Sequence, residues 1–233
     1  MRILGIIPAR KGSKRLPDKN LKLLGGKPLI CRAIETAIKT PILSEIVVSS
    51  DSEEVLNLRH NYPNPQLTFL NRPVAISGDD SPAIDYVNHA LDYFPREGKE
   101  FDIIVILQPS SPFTLPSDIE GTVNMLLNSS ADSSVSVVRL SHDINPLKMK
   151  LLKGQRLIPY IEDEKGRMSA EALPEVYVRN CSVYVSRISV IQSGSIIGNE
   201  CLGYVMPRER SIDINDELDL KFAEFLNSYQ TTE

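Results

Sequence analysis

Two periods alternate along the first 140 or so residues. Short unbroken apolar runs are followed by stretches whose apolar positions recur every three or four residues. Ile3-Leu4-Gly5-Ile6-Ile7, ended by Pro8, has no polar face and predicts a strand covered on both sides. Leu29, Ile30, Ala33, Ile34, Ala37 and Ile38 then repeat at helical spacing, and Pro41 marks the helix end. Residues 45–50 predict a second strand, with Asp51 or Ser52 as cap of the next helix. Residues 68–70 predict a weak strand, and Asp80 or Ser81 precedes a helical pattern of Ile84, Val87, Leu91 and Phe94. Residues 103–107 form the strongest apolar run, stopped by Pro109 and Pro112. Ser117 is the expected cap of a helix carrying Ile119, Val123 and Leu126, and residues 134–139 return to strand. Such alternation implies an α/β fold: a mostly parallel sheet with helices on both faces.

Beyond His142 the pattern changes. Residues 147–152, 157–161 and 176–185 predict strands separated by polar turns, with Gly154 and Gly166 as breakers. An insertion over about 142–185 would be an antiparallel flap or a dimerisation arm. The chain closes with a strand at 201–206 and a helix carrying Leu218, Phe222, Phe225 and Leu226. No internal repeat or linker interrupts it, so residues 1–233 are expected to form one domain with an inserted arm.

The formal net charge is −4, with 42% hydrophobic and 24% charged residues. An acidic balance argues against general nucleic-acid binding, so any polyanion site is local. Cys31, Cys181 and Cys201 form no CxxC pair, which favours a reduced, cytoplasmic setting. His60, His89 and His142 match no zinc spacing. The run from Ile3 to Ile7 is too short for a secretory or membrane segment, so no membrane partner is expected.

Against that acidic background, residues 10–20 read RKGSKRLPDKN, with five cations: Arg10, Lys11, Lys14, Arg15 and Lys19. A basic loop is ordinarily a solvated one. This loop leaves the first strand of an α/β sheet, where such folds bind ligands. It offers Gly12 for backbone freedom, Ser13 as a hydroxyl donor, and charges suited to a triphosphate. Neither GxxxxGK[ST] nor GxGxxG is present, which disfavours P-loop and dinucleotide folds.

The stretch from Ile7 to Asn20, IPARKGSKRLPDKN, followed by Gly26-Lys27-Pro28-Leu29-Ile30, resembles the opening signature of the acylneuraminate cytidylyltransferases. These are the CMP-sialic acid synthetases and their relatives acting on other nine-carbon 2-keto sugar acids. The resemblance runs down the chain. It includes Arg72-Pro73 with Asp79 and Ala83-Ile84-Asp85, then Leu107-Gln108-Pro109-Ser110-Ser111-Pro112, Asn145-Pro146-Leu147-Lys148-Met149, and Ser211-Ile212-Asp213-Ile214-Asn215. It implies a three-layer, Rossmann-like nucleotide-diphospho-sugar transferase fold and a homodimer formed through the arm. The implied reaction is Mg²⁺-dependent attack of a sugar acid's anomeric hydroxyl on the α-phosphorus of CTP. Arg10, Ser13, Lys14, Lys19 and Asn20 would hold the triphosphate, with Arg10, Lys19 and Asn20 stabilising the departing pyrophosphate. Lys11 and Arg15 would strengthen the local field. Arg72 would contact the nucleotide. Gln108, Lys148, Arg179 and Tyr184 would serve the sugar, Lys148 from the partner subunit's side. Asp213 and Asn215 would take the metal.

Three departures bear on the acceptor. Ala170-Glu171-Ala172 stands where relatives often carry Arg-Gln, Asn180-Cys181-Ser182 stands for Asn-Gly-Ala, and Thr114 lies near the place of an arginine. Arg179 is the candidate replacement for a carboxylate-binding arginine, and the acceptor stays open among sialate, legionaminate and pseudaminate types. An eight-carbon sugar acid acceptor and a non-catalytic nucleotide-binding regulator are the alternatives. A nucleic-acid module is weaker, because no aromatic platform accompanies the loop and tryptophan is absent.

Overall fold

The computed structural model describes residues 1–94, 100–161 and 173–230. Gly166 and the stretch Ala170-Glu171-Ala172 lie outside the described residues. In chain order the strands are β1 Ile3–Pro8, β2 Leu23–Leu24, β3 Lys27–Pro28, β4 Glu45–Ser50, β5 Leu67–Asn71, β6 Ile103–Leu107, β7 Ser133–Arg139, β8 Lys150–Lys153, β9 Arg156–Pro159, β10 Tyr177–Arg187 and β11 Cys201–Val205. The α-helices are α1 Leu29–Ile38, α2 Glu53–Asn57, α3 Ala83–Tyr93, α4 Pro116–Leu127, α5 Ile188–Gln192 and α6 Glu217–Gln230.

Seven strands form one sheet in the order β11-β7-β10-β6-β1-β4-β5. Every neighbouring pair is parallel except the two made by β10, which runs antiparallel to β6 and β7. The expected mostly parallel sheet is therefore observed. Its unbroken apolar strands follow from helices on both faces. Ile3 and Ile7 of β1 pack with Ile34 of α1 and Val123 of α4, while Leu4 and Ile6 turn to the other face against Val87 of α3 and Ile191 of α5. A third cluster joins Leu220 and Ala223 of α6 to Leu16, Leu29, Phe113 and Ile214. The chain steps outward from β1 to β4 and β5, then crosses back to β6 on the other side of β1. That reversal between β1 and β6 opens a crevice at their carboxyl ends.

Several local expectations change. Ser52 does cap α2, accepting the Val55 N–H at 3.4 Å. Ser117 does not cap α4: the helix starts at Pro116, and Asp118 takes the Leu115 N–H at 2.9 Å. Proline at the first turn needs no donor there, which moves the start by one residue. No side chain caps α3, which Pro82 precedes. Residues 146–148 form a 3-10 turn, because the Asn145 side chain accepts the Leu147 N–H at 3.1 Å; Lys148 thus sits on a turn and not on a strand. β8 and β9 pair as an isolated antiparallel hairpin, whereas residues 177–185 lie in the main sheet as part of β10. No described helix is long and apolar enough to cross a membrane.

Asp118 is fully buried and accepts two hydrogen bonds from Arg210, at 3.1 and 2.7 Å. Removing one partner leaves a carboxylate in a medium that cannot solvate it. Arg210→Ala is expected to lower the unfolding free energy by about 3 kcal/mol in urea titration, with the slope unchanged.

Candidate active site

The basic loop leaves β1 at Ala9, whose N–H bonds to the Ser49 carbonyl at 2.9 Å. The Lys11 N–H reaches Asp51 at 2.7 Å. Gly12 turns the chain at φ 77°, a conformation that costs glycine little. Leu16 anchors the far side of the loop in the third core cluster, and Asp18 takes the left-handed region at φ 52° to start the turn at 19–21. Asn20, almost fully buried, closes the loop by donating to the Arg10 carbonyl at 3.1 Å. The charged tips of Arg10, Lys14, Arg15 and Lys19 are thus carried on a backbone tied down at both ends.

Arg72 follows β5 and folds back onto β4. Its backbone N–H meets the Ser50 carbonyl at 2.7 Å, its Nε donates to Ser49 Oγ at 3.0 Å, and its Nη2 donates to the Ser49 carbonyl at 2.9 Å. The guanidinium stacks over the Tyr86 ring, 4.7 Å from its centre. It is 4% exposed and has no carboxylate partner among the described residues. Burial pulls its pKa below the ordinary arginine value, with Tyr86 and Asp51 opposing. A buried cation held only by neutral acceptors and a ring is costly unless a ligand completes it. Gln108 follows β6, fixed by its N–H to the Ser182 carbonyl at 3.2 Å.

These elements meet around a hollow of about 230 Å³ lined by Arg10, Ser13, Lys19, Asn20, Arg72, Tyr86, Gln108 and Ser110, among others. A second hollow of about 260 Å³ adjoins it, lined by Arg10, Ser13, Lys14, Arg15, Lys19, Asp79 and Asn215. A larger hollow of about 670 Å³ lies beside α1, but its Lys27 and Arg210 are already paired with Glu35 and Asp118. At the crevice Arg15, Lys19 and Arg72 have no ion-pair partner among the described residues, whereas Arg10 and Lys14 pair with Asp79.

The late segment 211–215 is stitched to this loop. Lys19 donates to the Ile214 carbonyl at 3.1 Å, and the Ile214 N–H reaches the Ser110 carbonyl at 2.8 Å. Arg15 donates to Asn215 Oδ1 at 3.0 Å, and Asn215 Nδ2 donates to Asp213 at 2.8 Å. Burial lowers the Lys19 pKa; Asp213 opposes this, while Arg15 and Arg10 push the same way. Among the described residues no three His, Cys, Asp or Glu side chains gather as a ready-made metal cage.

Of the residues singled out from sequence, Arg10, Ser13, Lys19, Asn20, Arg72 and Gln108 share the main hollow, while Lys14 and Asn215 line its neighbour. Asp213 reaches Asn215. Lys148, Arg179 and Tyr184 line neither hollow. Tyr184 lies near enough to Arg179 and Asp213 to feel both charges, and its hydroxyl pKa is raised, first by burial and then by a contact with Cys181. Cys181 takes φ 59° in a bulge of β10, the left-handed region that suits the glycine expected there by resemblance. Sequence reading missed the roles of Tyr86 and Ser49. The only sign of Tyr86 is an aromatic residue in the first turn of the helix entering the crevice.

A family model described as "Cytidylyltransferase" matches residues 4–197. The chain belongs to the cytidylyltransferase family. An N-acylneuraminate cytidylyltransferase of Escherichia coli is 26% identical over 223 residues, which cover 95% of this chain and 51% of that protein. A CMP-N,N'-diacetyllegionaminic acid synthase of Legionella pneumophila is 42% identical over 125 residues, 54% of this chain and 53% of that one. A pseudaminic acid cytidylyltransferase of Campylobacter jejuni is 27% identical over 228 residues, 97% of this chain and 96% of its own. The matches thus span about half the length of the first two relatives and nearly all of the third. A solved CMP:2-keto-3-deoxy-manno-octonic acid synthetase complexed with CTP has a TM-score of 0.68 at 17% identity, covering 99% of this chain and 100% of that one. At that identity the likeness is one of fold, and it matches the sheet and helix layers of this family member.

The position of Lys19 gives a pH test. Lysine carries charge below its pKa, and a lowered pKa brings the loss of charge to a lower pH. Affinity for inorganic tripolyphosphate is expected to fall as pH rises, with a midpoint below the ordinary lysine value of 10.5. Lys19→Arg should move that fall to higher pH. Isothermal titration across pH checks both, and an identical fall in the variant would assign it elsewhere. At Arg72, lysine replaces neither the paired donors to Ser49 nor the stack on Tyr86. Arg72→Lys is expected to lose about 2 kcal/mol of CTP affinity, read by the same method.

Proposed function

We propose that the protein transfers CMP from CTP to the anomeric hydroxyl of a nine-carbon 2-keto sugar acid and releases pyrophosphate. The carrying observation is the convergence of Arg10, Ser13, Lys19, Asn20, Arg72 and Gln108 on one crevice in a chain of this family. The acceptor class draws support from the names of relatives directed at N-acylneuraminate, diacetyllegionaminate and pseudaminate.

In this reading the sugar's hydroxyl oxygen bonds to the α-phosphorus as the bridge to the β-phosphate breaks. The hydroxyl proton leaves to solvent. Arg10, Ser13, Lys14, Lys19 and Asn20 hold the triphosphate and neutralise the charge that builds on the departing pyrophosphate. Arg72 gains from the nucleotide the partner it lacks in the free protein. Gln108, at the end of β6, faces the acceptor, Arg179 and Tyr184 serve the sugar as well, and Lys148 reaches the partner subunit's site.

Magnesium suits this arrangement. The ion is content with one protein carboxylate plus phosphate oxygens and water, and Asp213 offers one beside Lys19. Asn215 Oδ1 is engaged by Arg15, so Asp213 is the stronger candidate ligand of the two. When bound, the ion would neutralise charge on the phosphates. A homodimer through the 142–185 arm, within a single 1–233 domain, accords with the exposed Leu151, Leu152, Leu157 and Tyr160 of the hairpin region. The three free cysteines accord with a cytoplasmic setting.

The test is pyrophosphate release from CTP and Mg²⁺ across a panel of nine-carbon and eight-carbon 2-keto sugar acids. Release with a nine-carbon acid is expected. Release with eight-carbon acids alone would overturn the acceptor class, and CTP binding without release from any acid would leave a regulator. With the accepted acid, Lys19→Ala is expected to lower kcat/KM about 10²- to 10³-fold while circular dichroism stays unchanged.

A further inference from the structure

We propose that Asp79 is an internal counter-anion: its carboxylate occupies the polyphosphate seat in the free protein and must be displaced before a ligand's phosphates reach Arg10 and Lys14. Five cations line the two adjoining hollows, namely Arg10, Lys14, Arg15, Lys19 and Arg72. Among the described residues Asp79 is the sole carboxylate lining either, and it lines both. Its Oδ1 is 2.5 Å from Arg10 Nη2 and its Oδ2 is 2.6 Å from Lys14 Nζ, so each oxygen holds one cation as a phosphate's oxygens would. No other polar partner binds its side chain among the described residues.

The placement makes displacement easy. Asp79 sits in the loop between the 3-10 turn at 74–76 and α3, after Gly78, and outside the sheet. Its pairs are partly exposed, with side chains 33%, 26% and 78% accessible for Arg10, Asp79 and Lys14. Ion pairs of that kind are weak and screened by salt. A triphosphate brings several negative charges and many acceptors, so it outcompetes one carboxylate. A monoanion offers Arg10 little beyond what Asp79 already gives. The consequence is a charge threshold at the mouth of the crevice. The same carboxylate returns to its cations as pyrophosphate leaves, which favours release.

The identity of the ligand rests on the cytidylyltransferase reading above, but the displacement is testable with simple anions. The experiment titrates inorganic pyrophosphate and CTP into the wild type, Asp79→Asn, Asp79→Ser and Asp80→Asn at fixed ionic strength. Asp80→Asn removes the same charge one residue away from the pairs. The two Asp79 variants are expected to bind both ligands roughly three- to tenfold more tightly, with Asp80→Asn unchanged. Equal or weaker binding by the Asp79 variants would overturn the proposal, and so would equal tightening by Asp80→Asn, which would mark a general field effect. No binding of either ligand by the wild type would overturn both this inference and the proposed function. Binding with the expected tightening, but no turnover on any sugar acid, would overturn the function and leave the counter-anion standing.

Discussion

Burial of the central strands on both faces is the constraint from which the rest follows. β1, β4 and β6 are covered by α1, α2 and α4 on one side and by α3 and α5 on the other, so their sides can carry only apolar groups. Polar chemistry is pushed to the strand ends. Ser49 and Ser50 show the transition, since the last two residues of β4 are buried yet polar. Ser49 holds the Arg72 guanidinium, and Ser50 Oγ donates to the Ala9 carbonyl at 2.6 Å. The sheet edge thus fixes the start of the basic loop and the buried arginine through two adjacent hydroxyls. Because the chain reverses direction between β1 and β6, the loops after β1, β5 and β6 open onto one crevice.

Two buried charges illustrate how stability and function divide the same physics. Asp118 is fully buried and paired twice with Arg210, and its charge is neutralised within the chain. Arg72 is nearly as buried but leans on a carbonyl, a hydroxyl and a ring. Structural pairs are completed internally, because an unpaired interior charge weakens the fold. A cation left incomplete beside a crevice is instead a candidate for completion by a ligand. The difference lies in the partners and not in the depth of burial.

Much of the layer plan is legible in the sequence, because two-sided burial writes itself as unbroken apolar runs. Ile103–Leu107 is bounded in the structure where its prolines suggest. Boundaries set by single side chains are not so legible. Asp118 rather than Ser117 receives the α4 terminus, and Asn145 converts the expected strand around Leu147 into a turn. Nor does local periodicity reveal that residues 177–185 complete the main sheet, since β10 reads like the hairpin strands before it and its pairing with β6 joins residues more than 70 apart. At the site, the cations of residues 10–20 stand out from the sequence by charge and position. Tyr86 does not, and Asp79 stands out only as part of the segment that resembles the family, because what each one meets is set by the fold: Arg72 in one case, Arg10 and Lys14 in the other.

The segment carrying Asp213 shows why the identity of a neighbour decides a carboxylate's use. Ile214 bonds to Ser110 through its N–H and to Lys19 through its carbonyl, so the segment is strapped between the loop after β6 and the basic loop. Asn215 adds a second strap: it accepts from Arg15 on one side and donates to Asp213 on the other. An amide can do both at once, where a carboxylate could only accept. An aspartate at 215 would keep the contact with Arg15 but would face Asp213 with a like charge. The amide therefore adds no third negative charge to Asp213 and Asp219, both of which act on Lys19, and its orientation is fixed by a cation that is itself part of the basic loop.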